Sequence, residues 1–375
     1  MKKIFGALAL CLSMAACCNV NKEIVIFPET DFNTEVDGKP VSIYTLKSGD
    51  LVMQVTNFGA RVVSLWTPDR NGHYEDVVLG YNNIDSYINN KGERFLGAVV
   101  GPYANRIAGG TYTIGDQTYN FPQNNNGQTL HGGLKGLDMV VWNVDSISDD
   151  AIVLSYLCPD GQDGMPGNRK IVMTYTLTPE NEFRVDYVAE TDKATHMNIS
   201  HHSFFNLKGE GNGTINDHVL YINASKTTPV DSVLIPTGEL ADVAGTPFDF
   251  RKPKTIEQDL AVEDEQLKNG AGYDHNWVLD RKSADGLELA ASLHEPASGR
   301  FMEVLTDQPA LQFYGGNFFD GSTSGKYGRT LDYRESIALE TQKYPDTPHH
   351  AHFPSTLLNP GEKYTHVCVY RFSVK

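Results

Sequence analysis

The sequence predicts an all-β fold, a large antiparallel β-sandwich, from three observations. Short runs of alternating or β-branched residues recur along the chain, turn signals separate them, and amphipathic helical periodicity is scarce. The 34 glycines and 18 prolines suit many turns better than long helices. Many short strands over this length are typical of a sandwich, whereas a parallel sheet would show helices alternating with strands.

We predict ten strands, separated by turn-forming pairs such as Asp37-Gly38 and Pro360-Gly361. The best helix candidate is a short one at Ile256–Leu267. In chain order the predicted strands are Leu51–Thr56, Arg61–Trp66, Ala151–Leu157, Ile171–Leu177, Phe183–Val188, Val219–Ile222, Leu287–Leu293, Phe301–Leu305, Ala310–Tyr314 and Tyr364–Val374.

The first residues predict an export signal. Lys2 and Lys3 precede Ile4–Ala16, an apolar stretch of 13 residues that is too short to span a bilayer. The tetrapeptide Met14-Ala15-Ala16-Cys17 resembles a bacterial lipobox, which predicts a lipid on Cys17. The alternative is an ordinary cleaved signal peptide, and either one predicts export.

The predicted organisation is therefore a lipoprotein signal peptide at 1–16, a tether at 17–34 and one domain at 35–375, since no linker, charge block or repeat divides the rest. A lipid on Cys17 would hold the domain on a membrane without a spanning segment. We predict a location in a Gram-negative cell envelope, facing the periplasm or the surface, with a soluble periplasmic protein as the alternative.

The charge balance excludes some partners. The net charge is −16, and it becomes −18 once the two lysines of the leader are removed. An acidic surface argues against nucleic acid, and the scarcity of basic clusters counts against a phosphorylated substrate. Cys158 and Cys368 are the cysteines of the predicted domain, and whether they form a disulfide stays open at this stage.

Five polar clusters place ionisable side chains beside glycine or aromatic residues, where a ligand can approach closely. Taken singly, each has a structural interpretation, such as an arginine that bridges loops or a histidine bonded to the backbone. In chain order the clusters are Ala104–Gly110 with Asn105 and Arg106, Leu130–Gly133 with His131, Asn198–Leu207 with His201 and His202, Gly272–Trp277 with Asp274, and Ile337–Gln342 with Glu340.

Two of these clusters suit proton transfer. Since side chains alternate along a strand, only one of His201 and His202 can face a given pocket. A histidine that projects from a rigid sheet into an aromatic-lined cleft suits proton transfer near neutral pH. Glu340 ends an apolar run, so we expect burial to perturb its pKa. A buried ion pair of Glu340 with Arg106 or another cation is the structural alternative.

Together the clusters resemble one family, the aldose 1-epimerases or galactose mutarotases, over roughly residues 35 to 375. The resemblance implies a galactose mutarotase-like supersandwich that interconverts the α and β anomers of free hexoses, glucose and galactose, without a cofactor or metal. The motifs that carry it are Asn105-Arg106-Ile107, Leu130-His131-Gly132-Gly133, His202-Ser203-Phe204-Phe205-Asn206-Leu207, Tyr273-Asp274-His275-Asn276 and Leu339-Glu340-Thr341-Gln342.

The resemblance also implies residue roles. Glu340 corresponds to the base on the C1 hydroxyl and His202 to the acid on the ring oxygen, with protonated His202 beside ionised Glu340 as the starting state. His201 is interpreted as structural. The residues implied to bind the sugar hydroxyls are Asn105, Arg106, His131, Asp274 and Gln312.

Three alternatives remain at this stage. A glycoside hydrolase could use Glu340 and Asp274 as its carboxylate pair, although His202 and His131 would then lack roles. A non-catalytic sugar-binding lipoprotein could share the fold, and a glucose 6-phosphate epimerase is a variant within the enzyme class.

The segment Pro348-His349-His350-Ala351-His352 invites a metal hypothesis, but a solvated loop is favoured. We expect a monomer or a weak homodimer.

Overall fold

The computed structural model describes residues 23–283 and 285–375, so the predicted leader and Cys17 lie outside the described residues. Strands dominate, which confirms the predicted all-β class. The largest sheet has nine antiparallel strands. In spatial order they are Asn143–Ile147, Ala151–Cys158, Arg169–Leu177, Glu182–Thr191, Tyr364–Val374, Arg300–Thr306, Glu288–His294, Val219–Ile222 and Lys254–Thr255.

Two further antiparallel sheets complete the main layers. The six-stranded sheet has the order Phe204–Phe205, Ile337–Gln342, Ala310–Tyr314, Asp274–Leu279, Ala224–Thr228 and Ala241–Asp242. The four-stranded sheet has the order Ile43–Ser48, Leu51–Thr56, Arg61–Pro68 and Tyr74–Asp76.

Smaller elements connect these sheets. The two-stranded pairs are Thr34–Val36 with Lys39–Val41, Ala98–Val100 with Ser200–His202, Arg106–Ile107 with Thr129–Leu130, Thr111–Ile114 with Gln117–Asn120, and Thr195–His196 with Leu357–Leu358. The α-helices of the described residues are Ile84–Ile88 and Glu265–Asn269. Single 3₁₀ turns lie at Glu29–Asp31, Ala108–Gly110, Leu137–Met139, Gln162–Gly164, Ile256–Asp259, Lys326–Gly328 and Thr347–His349. No helix in the described part of the chain is long and apolar enough to cross a membrane.

All ten predicted strands are present, and four of them have the predicted bounds. The predicted turn at Asp37-Gly38 is also confirmed: both residues have positive φ, 51° and 73°, as a tight two-residue hairpin turn requires.

The prediction of one continuous helix over Ile256–Leu267 is wrong. The segment contains a 3₁₀ turn at Ile256–Asp259 and a separate α-helix at Glu265–Asn269. Asp264, in extended conformation, accepts hydrogen bonds from the N–H groups of Gln266 and Leu267 at 2.8 and 3.2 Å. This side chain caps a new helix, and an extended cap residue cannot also lie inside a continuous one.

The nine-stranded and six-stranded sheets share one core. Tyr370, on the nine-stranded sheet, donates from its hydroxyl to the carbonyl oxygen of Leu339, on the six-stranded sheet, over 3.0 Å. Next to it, Thr341 Oγ1 lies 2.8 Å from His366 Nε2. Apolar side chains of both sheets, including Tyr175 on the larger one, fill the space between them. The result is the predicted sandwich.

Side chains point alternately to the two faces of a strand, and this alternation determines which residues lie on the other face of the six-stranded sheet. In Ile337–Gln342 every residue is buried, and Leu339 and Thr341 face the shared core. Ala338 and Glu340 therefore face away from that core. Along the neighbouring strand, Gln312 is the cross-strand partner of Glu340. The sheet thus carries a row of polar side chains on the face opposite the hydrophobic core.

The chain packs against the domain before residue 35. Phe27 and Phe32 are buried in a second apolar cluster. Gln54 holds the backbone of Phe27 through two hydrogen bonds, accepting from its N–H at 2.8 Å and donating to its carbonyl oxygen at 3.1 Å. Part of the segment predicted as tether is therefore docked on the domain. Cys158 and Cys368 are both free and buried, and no disulfide joins them.

Candidate active site

A cavity of about 180 Å³ opens beside the polar face of the six-stranded sheet. Six of the seven residues proposed from the sequence line it, namely Asn105, Arg106, His131, His202, Asp274 and Glu340. The seventh, Gln312, lies behind them. The remaining lining residues are Glu93, Phe95, Asn125, Leu130, Phe204, Tyr314 and Phe318.

Glu340 projects into this cavity from the strand Ile337–Gln342 and is only 2% exposed. Its Oε2 atom has no hydrogen-bond partner among the described residues. Burial raises the pKa of Glu340 well above its ordinary value, and the carboxylate of Asp274 adds to the rise, while the Arg106 guanidinium opposes it. A carboxyl group in this position is a stronger base than an exposed glutamate.

His202 faces Glu340 across the cavity. It ends the strand Ser200–His202, whose register with Ala98–Val100 pairs His202 with Ala98. The Nε2 atom of His202 lies 3.4 Å from Oε1 of Glu340, and its Nδ1 has no partner in the described chain. Burial lowers the pKa of His202 to about 3. Burial therefore disfavours charge on both side chains, which opposes the ion pair expected as the starting state.

His201 lies on the opposite face, as strand alternation predicts. Its Nδ1 is 3.1 Å from the hydroxyl of Tyr175, and its Nε2 is 2.6 Å from Oγ of Ser203. The ring is buried between the sheets, against Phe183 and Tyr370. It lies among core residues and is absent from the cavity wall.

His131 enters the cavity from a turn with left-handed backbone, φ 51°. Its Nδ1 accepts a hydrogen bond from the backbone N–H of Asn105 over 3.0 Å. Since an accepting nitrogen carries no proton, the proton of neutral His131 is on Nε2, which can donate to a ligand oxygen. The next residue must be glycine, because a Cβ at Gly132 would collide with the carbonyl oxygen of Gly101.

Arg106 is oriented by two neighbours. Its Nε donates to Oδ1 of Asn125 over 3.3 Å, and a terminal nitrogen lies 3.9 Å from Oδ2 of Asp274. Asn105, with φ 64°, uses its side-chain oxygen to accept from the backbone N–H of Arg106 at 2.9 Å. The guanidinium is thereby fixed beside Asp274 with donors left for a ligand.

Asp274 is held from the other side by Gln312, whose Nε2 donates to Oδ1 of Asp274 over 2.7 Å. The register of the sheet sets this contact, since Gln312 pairs with Asn276 on one side and with Glu340 on the other. Burial raises the pKa of Asp274, against the Arg106 guanidinium and the Gln312 hydrogen bond, which lower it. Gln312 therefore orients Asp274 from behind the cavity.

The histidine-rich segment lies behind the Arg106 strand. The backbone N–H of Asp346 donates to the carbonyl oxygen of Arg106 at 3.0 Å, and Oδ1 of Asp346 accepts from the N–H of Ala108 at 2.9 Å. His349 Nδ1 lies 2.6 Å from the same carboxylate, which raises the pKa of His349. This segment braces the strand that carries Arg106.

A different trio could be taken for a metal site. The potential ligand atoms of His131, His202 and Glu340 lie within 4.8 Å of one another, and no other such group occurs in residues 23–283 and 285–375. A metal ligand must offer a lone pair. Because the Asn105 N–H occupies the Nδ1 lone pair of His131, Nε2 keeps its proton and cannot coordinate. The trio does not fit a metal ion.

Sequence motifs missed several lining residues. Glu93 and Phe95 belong to the loop before Ala98–Val100, and Asn125 to the loop before Thr129–Leu130. Neither loop has a periodic pattern, and Asn125 lies in a run of three asparagines that indicates only a turn. Phe318, 59% exposed, stacks on Tyr314 at the mouth of the cavity with ring centroids 5.8 Å apart.

A family model and several known proteins match most of this chain. A family model described as aldose 1-epimerase matches residues 42–371. Galactose mutarotase from Bos taurus is 41% identical over 334 residues, covering 89% of this chain and 94% of that protein. Aldose 1-epimerase from Escherichia coli K12 is 35% identical over 339 residues, covering 90% and 96%.

Solved structures show the same fold. A GalM/aldose epimerase homologue from C. elegans superimposes with a TM-score of 0.82 at 29% identity, covering 89% of this chain and 99% of that chain. Galactose 1-epimerase from Lactobacillus acidophilus gives a TM-score of 0.79 at 30% identity, covering 92% and 97%. The β-sandwich predicted from the sequence is therefore the galactose mutarotase-like one.

Proposed function

This chain belongs to the aldose 1-epimerase family, and we propose that it is a carbohydrate isomerase that interconverts the α and β anomers of free hexoses such as glucose and galactose. One observation carries the proposal: His202 and Glu340, a potential acid and a potential base, face each other at 3.4 Å inside a buried cavity. Mutarotation needs such a pair, because the C1 hydroxyl loses a proton while the ring oxygen gains one.

The reaction then proceeds by ring opening and reclosure. Glu340 takes the proton of the C1 hydroxyl, the bond between C1 and the ring oxygen breaks, and His202 gives a proton to that oxygen. Rotation about the C1–C2 bond turns the other face of the aldehyde toward the ring hydroxyl. On reclosure His202 takes the proton back from the ring hydroxyl and Glu340 gives its proton to the C1 oxygen, so no other reactant is consumed.

Burial of His202 and Glu340 favours the ring-opening half of the reaction. Before opening, Glu340 is ionised and His202 is protonated; afterwards both are neutral. Burial raises the pKa of Glu340 and lowers the pKa of His202, so the cavity favours the second arrangement. The same preference makes the charged starting pair less stable, so it favours neutralisation of the pair as the ring opens without changing the stability of the aldehyde itself.

The surrounding groups suit sugar hydroxyls. Arg106 and the Nε2–H of His131 donate, and Asp274, oriented by Gln312, accepts. Holding the sugar by several such contacts fixes C1 and the ring oxygen against Glu340 and His202, which lowers the barrier through orientation. Asn105 supports both donors, through its backbone N–H to His131 and its side chain to Arg106.

Two alternatives have less support. In a glycoside hydrolase Asp274 would be the second catalytic carboxyl group, but Gln312 and Arg106 engage its two oxygens. A non-catalytic sugar-binding lipoprotein would not need an acid and a base in contact. The two relatives described above are named galactose mutarotase and aldose 1-epimerase, and both names describe anomer interconversion.

Polarimetry tests the proposal directly. Purified protein is added to freshly dissolved α-glucose or α-galactose, and the approach to the equilibrium rotation is followed against the spontaneous rate. We expect acceleration for at least one of the two sugars in proportion to enzyme concentration. Release of a new reducing end from a glycoside would instead favour the hydrolase, and sugar binding without acceleration would favour the binding protein.

We further propose that the protein is exported and anchored by a lipid on Cys17 in a Gram-negative envelope. The leader of the sequence supports this, with its two lysines, its short apolar segment and its lipobox-like tetrapeptide. We also propose that the protein is a monomer or a weak homodimer. Light scattering of the purified protein measures the oligomeric state.

A further inference from the structure

Glu93 is a carboxyl group in the cavity that the proposed reaction does not use. It lies in the loop between the helix Ile84–Ile88 and the strand Ala98–Val100, and its side chain lines the same cavity as Glu340 and Arg106. No motif of the sequence singled it out. Its position in the wall nevertheless places it within reach of a bound sugar.

The loop holds Glu93 in place. Its carbonyl oxygen accepts hydrogen bonds from the hydroxyl of Tyr81 at 3.0 Å and from Nδ2 of Asn90 at 2.6 Å. The backbone N–H of Phe95 donates to Oε1 of Glu93 at 2.9 Å. Oε2 makes no such bond within the described chain, so one carboxylate oxygen is fixed and the other is available to a ligand.

The two arginines near Glu93, Arg94 and Arg61, contact other groups. Arg94 makes a forked contact with Asp138, at 2.6 and 2.9 Å, and also donates to the carbonyl oxygen of Gly133. The buried Arg61 lies 3.6 Å from the same Asp138. Neither arginine lines the cavity. A ligand in the cavity therefore meets the carboxylate of Glu93 directly, and these cations only at a distance.

The cavity wall is consequently acidic. Three carboxyl groups, those of Glu93, Asp274 and Glu340, face one guanidinium, that of Arg106. The negative charge of Glu93 contributes to the raised pKa of Glu340, which is consistent with both groups facing the same space. In so small a volume an anionic ligand would bring like charges close together with little water between them.

We propose that Glu93 is a further substrate-recognition residue: its free oxygen accepts a hydrogen bond from a sugar hydroxyl, and its charge selects neutral aldoses against uronic acids and sugar phosphates. This inference rests on the proposed epimerase function and names its substrate class. An uncharged hydroxyl satisfies the carboxylate, whereas a carboxylate or phosphate on the sugar is repelled by it.

The test compares galactose with galacturonic acid, which differ at C6 alone, by polarimetry at neutral pH. We expect the wild-type kcat/KM for galactose to exceed that for galacturonic acid at least tenfold. Glu93→Gln removes the charge and, with its oxygen kept on the Phe95 N–H, replaces the free carboxylate oxygen by an NH2 donor. It should reduce this preference by roughly tenfold or more, mainly through a lower KM for galacturonic acid. Glu93→Asp keeps the charge and should keep the preference.

Glu190→Gln is the matched control, because Glu190 is an exposed residue of the nine-stranded sheet and its loss changes the net charge by the same amount. It should leave the ratio unchanged. Glu93→Ala provides a second charge-removing variant, so either folded variant with the wild-type ratio would overturn the inference. If only glucose is accelerated, glucose and glucuronic acid provide the same comparison. A wild-type protein that accelerates the mutarotation of neither glucose nor galactose would instead reject the epimerase function itself.

Discussion

The Nε2 atom of His202 lies 3.4 Å from Oε1 of Glu340, while Nδ1 of His202 and Oε2 of Glu340 have no partner in the described chain. Buried polar atoms without partners are costly, and at the wall of a cavity a ligand can supply the missing partner. The two side chains come from separate strands, Ser200–His202 and Ile337–Gln342. Their contact is thus a product of the fold, and the first prediction tests it.

Glu340→Gln and His202→Asn should each remove most of the mutarotase activity while the protein stays folded. Each change keeps much of the side-chain shape and removes one proton-transfer group, so we expect kcat to fall by roughly 10²- to 10⁴-fold. KM should change much less, because the hydroxyl-binding groups remain. Polarimetry gives both constants, and circular dichroism checks the fold. Near wild-type kcat in either variant would show that the assignment is wrong.

His201→Asn is the matched control for His202→Asn. His201 points into the core, where it contacts Tyr175 and Ser203, so its loss should lower thermal stability without removing the acid. We expect substantial activity at temperatures where the variant is folded. An inactive but folded His201 variant beside an active His202 variant would reverse the choice between the two histidines.

The pH profile should show a broad plateau through neutral pH. The active pair holds one proton in total, so activity falls at low pH when a second proton binds and at high pH when the shared proton leaves. Burial lowers the pKa of His202 to about 3 and raises that of Glu340 well above its usual value. These shifts move the acid limb of the profile to lower pH and the alkaline limb to higher pH. The quantity to measure is kcat/KM against pH, with the spontaneous rate subtracted.

An exposed glutamate and histidine, with pKa values of about 4.3 and 6.5, would give a narrow optimum between these values and a decline above pH 7. That narrow profile would contradict the effect of burial described here. The Glu93→Gln variant offers a further check, because loss of a nearby negative charge should lower the pKa of Glu340 and shift the alkaline limb to lower pH.

The sequence predicted the elements of this fold better than their assembly. Strand alternation is enough to place Glu340 and Leu339 on opposite faces. It cannot place Gln312 against Asp274, because that contact depends on the register between two strands. Glu93 was missed for a related reason: it lies in a loop, where no periodicity indicates the direction of a side chain.

Arg106→Ala and Asp274→Ala should both weaken sugar binding. Each removal leaves the other charged group buried without its partner and also deletes a contact to the sugar. We expect a loss of about 1–3 kcal/mol each, which corresponds to a rise in KM of roughly 5- to 150-fold. The double variant should lose less than the sum of the two losses, since the residues interact. Unchanged KM and kcat in both single variants would place them outside the site.

Gln312→Ala is a milder version of the same test. It leaves Asp274 in place but removes the 2.7 Å hydrogen bond that orients its carboxylate. We expect a smaller rise in KM than for Asp274→Ala, and Gln312→Glu should be worse than Gln312→Ala because it sets two carboxyl groups side by side. Equal effects of the Gln312 and Asp274 substitutions would mean that Gln312 itself binds the sugar.

Chelators should leave the rate unchanged. The group of His131, His202 and Glu340 is compact enough to suggest a metal, but the hydrogen bond from the Asn105 N–H leaves the proton of His131 on the nitrogen that faces the cavity. We therefore expect the same polarimetric rate with and without EDTA after dialysis. Inhibition by EDTA that a divalent ion reverses would contradict this, and His349→Ala would show whether the histidine-rich loop supplies the ligands.

The lipid anchor can be tested apart from catalysis. If Cys17 is lipidated, the wild-type protein should incorporate labelled fatty acid in a Gram-negative host and sediment with membranes, and Cys17→Ser should lose both properties. The neighbouring Cys18→Ser is the matched control and should keep them, because only the residue after the cleavage site carries the lipid. Both variants should retain full mutarotase activity, since residues 17 and 18 precede the packed segment that starts at Phe27. A wild-type protein that fractionates as soluble with an unmodified N-terminus would replace the anchored enzyme with a periplasmic one.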